Sequence, residues 1–268
     1  MTNFEPRPHA NPWRGTGLTD CGRVRRSNQD ALAVLNECGV WMVADGMGGR
    51  AGGDVASRIA IETLTGALTC NGGFEGRHEI SNDQRIKTVR HAIRISNQAI
   101  RDEAVRHHAL IGMGTTIVIG IMAFDIEGLI VAHVGDSRAY LLHHGALSRL
   151  TRDHSLVEEA LAQGQLSADQ ALEHPLRHVL TRALGAEPDV EPEVSVTALQ
   201  SDDLILMCTD GLTKMLSDED IRGILSRGRT SSEAACAALI TEANRRGGDD
   251  NVSVIIVRNE LTNQVAPL

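Results

Sequence analysis

Four times in this chain a short apolar run meets an aspartate, and no other feature of the sequence restricts the fold as much. Residues 40–44 (VWMVA) lead into Asp45 and Gly46. Residues 130–134 (IVAHV) lead through Gly135 into Asp136, and 204–209 (LILMCT) lead into Asp210 and Gly211. The fourth aspartate, Asp250, stands just before 252–257 (VSVIIV). An unbroken apolar run of this length predicts a strand covered on both faces. Each aspartate therefore lies where a buried strand gives way to a loop. There the rigid sheet aims the side chain and the loop leaves it accessible. Asp-Gly is also a common turn pair, so any one of the four taken alone reads as a turn former. Four in one chain point to a site.

If these carboxylates converge, they cannot stay bare. Two carboxylates about 5 Å apart repel by about 3 kcal/mol at an effective dielectric near 20. Such a cluster protonates or binds cations. Carboxylates, a backbone carbonyl and water are hard oxygen ligands suited to Mg²⁺ or Mn²⁺, and the zinc motif H-E-x-x-H is absent. The glycines of 45–49 (DGMGG) let the backbone approach an ion closely.

The order of elements is not a strict alternation of strand and helix. Strands are expected at 16–20, 31–35, 40–44, 115–123, 129–134, 138–143, 193–198, 204–208 and 252–257. Helices are expected at 53–69, 83–105, 217–226 and 231–245. The three strands from 115 to 143 read as one meander. Residues 152–183 are polar, carry short helical pieces and are long for a connection, so they form a small insertion or a flap. Residues 1–14 read as a flexible leader, 15–258 as one domain and 259–268 as a tail. This pattern predicts an α+β layered domain, sheets packed together with helices outside.

Composition removes several alternatives. A formal net charge of −9 and an aromatic content of 2% leave neither the basic footprint nor the stacking platforms of a nucleic-acid binder. The five cysteines, Cys21, Cys38, Cys70, Cys208 and Cys236, are odd in number and include no C-x-x-C, which argues for a reducing compartment. The first fifteen residues hold no apolar signal core, and the most apolar stretch, 117–134, is interrupted by Asp125 and Glu127. No membrane span is expected, and the expected location is the cytoplasm. A dinucleotide fingerprint at 46–51 (GMGGRA) would set the Asp45 carboxylate beside a pyrophosphate, which repels it. No cysteine is followed six positions later by arginine, and no D-x-D follows a strand, so covalent phosphatase routes lack their nucleophile.

A cation complements the carboxylates. Residues 22–30 (GRVRRSNQD) set Arg25 in a turn between two expected strands, and a planar guanidinium grips phosphate oxygens at two points. By itself this stretch, with Arg23, Arg25 and Arg26, reads more readily as a solvated basic turn. Of the histidines, His107, His108, His143 and His144 read as surface pairs. His154 stands at the entrance to 152–183, where a structural role competes with touching substrate or relaying a proton.

Taken together, eight segments resemble the metal-dependent protein phosphatase family, the type 2C Ser/Thr phosphatases, in its compact bacterial form. They are 17–31 (GLTDCGRVRRSNQDA), 43–57 (VADGMGGRAGGDVAS), 112–118 (GMGTTIV), 134–142 (VGDSRAYLL), 150–155 (LTRDHS), 180–185 (LTRALG), 208–216 (CTDGLTKML) and 247–257 (GGDDNVSVIIV), in the family's order. The resemblance implies a four-layer αββα sandwich, two central antiparallel sheets flanked by helix pairs. It implies that Asp45 bridges two Mn²⁺ or Mg²⁺ ions, that the Gly46 carbonyl binds one of them, and that Asp210 and Asp250 complete the pair of sites. Asp30 matches an acidic residue acting through metal-bound water, Asp136 a position linked to a third, weaker metal, and Arg25 the arginine that holds substrate phosphate. Residues 152–183 match a variable flap used for substrate choice. The implied reaction is hydrolysis of phosphoserine and phosphothreonine on proteins by a hydroxide bridging two metals. The implied partners are a bacterial Ser/Thr kinase and its targets, with a secretion apparatus or stress signalling as settings. A non-catalytic binding module is disfavoured because Asp45, Asp210 and Asp250 are all present.

Two departures stand out. Met47 occupies a position where many eukaryotic members carry a histidine that is a candidate general acid, and a thioether has no proton to give. Gln29 replaces the glutamate of many members beside the metals.

Overall fold

The computed structural model describes residues 11–48, 52–69, 80–123, 127–172, 174–226 and 231–261. In chain order its strands are β1 (Trp13–Asp20), β2 (Asp30–Leu35), β3 (Val40–Met47), β4 (Gly114–Thr115), β5 (Ile117–Ala123), β6 (Gly128–Val134), β7 (Arg138–His143), β8 (Ala146–Arg149), β9 (Glu193–Ala198), β10 (Leu204–Cys208) and β11 (Val252–Asn259). Its helices are α1 (Gly53–Thr69), α2 (Asn82–Arg106), α3 (Leu156–Ala162), α4 (Ala168–Leu172), α5 (Asp210–Thr213), α6 (Asp218–Leu225) and α7 (Ser232–Arg245). One sheet has the order β1-β11-β10-β7-β8. The other runs β2-β3-β5-β6-β9, with β4 paired to β3, and all pairings are antiparallel.

The continuous apolar runs are covered on both faces, as their sequence requires. Successive side chains of a strand point to opposite faces. In β3, Val40, Met42 and Ala44 pack with Leu64 and Leu68 of α1 and Val89 and Ile93 of α2, while Trp41 and Val43 face the other sheet. In β11, Val254 and Ile256 pack with Ile221 of α6 and Leu239 of α7, while Ile255 and Val257 face inward between the sheets. The result is four layers, helix pair, sheet, sheet, helix pair, as the family resemblance implies. Helix starts are sealed by side chains. Ser81 accepts a hydrogen bond from the Gln84 amide, Ser231 accepts one from Ala234, and Ser217 forms a reciprocal box with Asp220.

Several features differ from the sequence reading, and the short β8 and α5 were not expected at all. The meander stops at two strands: β7 leaves β6 and pairs with β10 and β8 in the other sheet. The chain crosses between sheets over residues 135–137, turning at Gly135 with φ 104°, and this puts Asp136 at the crossing. The single strand expected over 115–123 breaks at Thr116, whose amide and hydroxyl bond the backbone of Asp45. β1 begins at Trp13, inside the expected leader, because Trp13 packs between the sheets. Residues 1–10 of the leader and 262–268 of the tail lie outside the described residues.

Candidate active site

The four aspartates of the strand-end pattern meet at one end of the sandwich. Asp45, Asp136, Asp210 and Asp250 line one cavity of about 930 Å³ together with Arg25 and Gly46. Each comes from a different place in the fold: the end of β3, the crossing between β6 and β7, the turn after β10 and the turn before β11. Asp30 lies behind them. It stands directly across from Asp45 in the β2–β3 register, and its Oδ2 accepts hydrogen bonds from Thr209 Oγ1 at 2.9 Å and Ser253 Oγ at 2.7 Å.

Like charges in a confined space hold protons. Burial, reinforced by Asp210, Asp30, Asp136 and Asp250, raises the Asp45 carboxyl well above the ordinary carboxylate range. Burial raises Asp30 to about 7, against the pull of the Ser253 and Thr209 hydroxyls. Burial and then Asp210 raise Asp136 to about 7. Asp250 moves the other way. Burial pushes it up, but Lys214, Arg25 and the Asn251 amide outweigh burial and leave it below its usual value.

The donor set fits divalent cations. It is all oxygen, it carries several negative charges, and two of its buried oxygens, Asp30 Oδ1 and Asp210 Oδ1, have no hydrogen-bond partner among the described residues. A Cβ at Gly46 would overlap the carbonyl oxygen of Gly53 and crowd that of Gln29, so only glycine lets β3 close against α1 here.

Arg25 is held ready. Its Nε lies 2.9 Å from Asp250 Oδ1 and its Nη2 donates to Asp250 Oδ2 at 2.9 Å. Asn251 fixes the turn that carries it. The Asn251 Oδ1 accepts from the Gln29 amide at 2.8 Å, and its Nδ2 donates to the carbonyls of Cys21 and Ser27, each at 2.9 Å. Gln29 takes part through its backbone: its carbonyl accepts from Gly46 N at 3.1 Å and Ser57 Oγ at 2.6 Å.

Lys214 is a site residue that the sequence reading missed. α5 turns the chain back so that Lys214 Nζ lies 2.6 Å from Asp210 Oδ2 and 2.9 Å from Asp250 Oδ2. The signal was present, a lysine four positions after an aspartate in a helical turn. His154 does not line the cavity. It is buried, accepts a hydrogen bond from Gly135 N at Nδ1 and stacks on His133 at 4.7 Å, so it secures the crossing beside Asp136. His133, His154 and Glu193 bring potential ligand atoms within 4.8 Å of one another. However, His133 Nε2 is bonded to the Arg152 carbonyl and the Arg182 guanidinium lies 3.3 Å from His154 Nε2, which opposes a second cation there.

A floor of carboxylates opening on a groove with an arginine beside it suits metal-dependent hydrolysis of phosphate esters. Comparison with known proteins narrows this. The family model described as Protein phosphatase 2C matches residues 19–251. The chain is 41% identical over 248 residues to the serine/threonine phosphatase stp of Listeria monocytogenes, covering 91% of this chain and 95% of that protein. The solved serine/threonine phosphatase of S. agalactiae is similar with a TM-score of 0.83 and 34% identity, over 92% of this chain and 99% of the other. The catalytic domain of the phosphatase PstP, solved in complex with 2 manganese ions, is similar with a TM-score of 0.78 and 32% identity, over 92% and 97% of the two chains. The chain belongs to the protein phosphatase 2C family and is a metal-dependent phosphoprotein phosphatase. Among the described residues no helix is long and apolar enough to cross a membrane.

Proposed function

We propose that Asp45, Gly46 through its carbonyl, Asp210 and Asp250 hold two divalent ions, with Asp30 steadying water beside them and Asp136 at a third position. The observation that carries this reading is the convergence of four strand-end aspartates and Arg25 on one cavity. When bound, Mn²⁺ or Mg²⁺ supplies a hydroxide nucleophile near neutral pH and offsets charge on the phosphate. The protein's own groups do the rest. Arg25 exchanges the Asp250 carboxylate for the substrate phosphate, since either anion presents two oxygens to the guanidinium fork. Asn251 keeps that arginine in place while it does so. The Thr116 hydroxyl, 2.6 Å from Ser137 Oγ and bonded to the Asp45 amide, keeps the end of β3 aligned with the sheet crossing at Asp136.

The substrates are phosphoserine and phosphothreonine on proteins. We place the enzyme opposite a bacterial Ser/Thr kinase, with the kinase and its targets as substrates and residues 152–183 as the flap that selects among them. Two grooves meeting at the aspartates support a polypeptide substrate, because an extended segment can run from one into the other.

The test is hydrolysis of p-nitrophenyl phosphate and a phosphothreonine peptide with Mn²⁺, with Mg²⁺ and with EDTA, beside Asp210→Asn. Turnover that needs metal and collapses in the variant is the expected result. Turnover in EDTA, or none with either metal, rejects the reading.

A further inference from the structure

Hydrolysis of a serine or threonine phosphate ends with an alkoxide leaving phosphorus. An alkoxide is a poor leaving group unless it is protonated as the bond breaks, and a positioned side-chain acid contributes roughly 10²–10⁴-fold to such a step. Met47, which lines the cavity with Asp45 and Gly46, has no proton to donate, so the acid must come from another group.

The structure narrows the replacement. Beside the cavity of about 930 Å³ lies a second groove of about 980 Å³. The two are lined in common by Arg25, Asp136, His178, Asp210, Lys214 and Asp250, so these six residues mark the junction. Four of them, Arg25, Asp136, Asp210 and Asp250, sit in the connections next to strand ends, and Lys214 closes the short α5; His178 alone comes from 152–183. Of the other groups at the junction, Asp136, Asp210 and Asp250 are the proposed metal ligands, and the remaining proton carriers are already committed. An arginine guanidinium does not give up its proton in proteins. The Lys214 ammonium is held by both Asp210 and Asp250. The Thr116 hydroxyl, in the first cavity, is bonded to Ser137 and the Asp45 amide. His154 is buried and lines neither cavity. His178, by contrast, is exposed to the junction and makes no hydrogen bond among the described residues. Burial, then the cations Lys214 and Arg177, lower its pKa against the pull of the carboxylates Asp210 and Asp250, so its imidazolium gives up a proton more readily than a free one. Imidazole is the side chain whose proton exchange falls nearest neutral pH, which suits an acid that must be reloaded every turnover.

We propose that His178 is the general acid that protonates the departing serine or threonine oxygen. This rests on the phosphatase reading and adds to it a residue of the 152–183 segment. As the new bond forms between the oxygen of water and phosphorus, the old ester bond breaks and its electron pair stays on the side-chain oxygen. That oxygen takes the imidazolium proton and leaves as the free hydroxyl. The neutral imidazole regains its proton from solvent, so no other reactant is consumed.

Two substrates separate this role from any other. p-Nitrophenolate is a stable anion and leaves without a proton, whereas threonine does not. In the Mn²⁺-loaded enzyme, His178→Gln lowers kcat on a phosphothreonine peptide by about 10²–10³-fold and leaves p-nitrophenyl phosphate within about threefold of wild type, which also shows that the variant is folded. Added imidazole restores peptide turnover to His178→Gly and does not change its rate on p-nitrophenyl phosphate. Equal losses on both substrates, or an unchanged peptide kcat with only a raised KM, overturns the proposal. A wild-type enzyme inactive on both substrates instead rejects the phosphatase reading, and this proposal falls with it.

Discussion

Arg25 and Lys214 converge on a single oxygen: Arg25 Nη2 and Lys214 Nζ each lie 2.9 Å from Asp250 Oδ2. One carboxylate thus anchors two cations that come from opposite parts of the chain. The same carboxylate is a proposed metal ligand, so cation and metal compete for it. Much of the site's behaviour follows from that competition.

Lys214→Met removes an ammonium from Asp210 and Asp250. Titration calorimetry with Mn²⁺ is expected to show tighter binding, by about tenfold, equivalent to about 1.4 kcal/mol of relieved competition. Binding that is unchanged or weaker would show that lysine and metal use separate oxygens.

The carboxyl cluster makes stability depend on pH. Asp30 and Asp136 titrate near 7 when folded, against 3.8 for an ordinary aspartate. Between those values the folded protein binds more protons than the unfolded chain, so stability falls as pH rises through that window and levels off above it. In EDTA, urea unfolding from pH 4 to pH 8 should show this fall, of order a few kcal/mol. Saturating Mn²⁺ should flatten it, since ions favour the ionised carboxylates. A rise in stability with pH in EDTA would contradict the raised carboxyls.

Metal should also stabilise the fold outright, because the ligands are assembled only in the native sandwich. At a free concentration 100 times Kd the gain is about 2.7 kcal/mol. The thermal midpoint in Mn²⁺ is therefore expected to exceed that in EDTA by several degrees. Asp45→Asn should lose most of this difference while remaining folded.

Asn251→Ala strips partners from the Gln29 amide and from the carbonyls of Cys21 and Ser27. Each buried polar group left unpaired costs about 1–3 kcal/mol. The expected outcome is a lowered urea midpoint together with a raised KM for phosphopeptide, because the same turn aims Arg25. A stability loss with an unchanged KM would separate the turn from substrate binding.

Much of this protein was legible in its sequence. The runs VWMVA and LILMC declared strands covered on both faces, and each position alternates between the core under the helices and the core between the sheets. Asp45, Asp136, Asp210 and Asp250 stood out because each interrupts such a run at its end. Arg25 was legible only in company, since a basic turn has many uses. Lys214 and His178 were not singled out. A lysine one helical turn after Asp210 marks its pairing with that aspartate but not with Asp250, and a histidine in a polar insertion carries no local mark of what it faces.

Periodicity and local chemistry thus determined which segments are strands or helices, which faces are buried and which aspartates end a strand. These depend on neighbours within a few residues, where backbone geometry ties spacing to direction. The tertiary structure decided which strands pair. β7 leaves β6 for β10, more than sixty residues further on, and that choice puts Asp136 at the crossing between sheets. Pairing partners are selected by how the whole chain buries both faces of both sheets at once, a condition that no stretch of sequence states by itself.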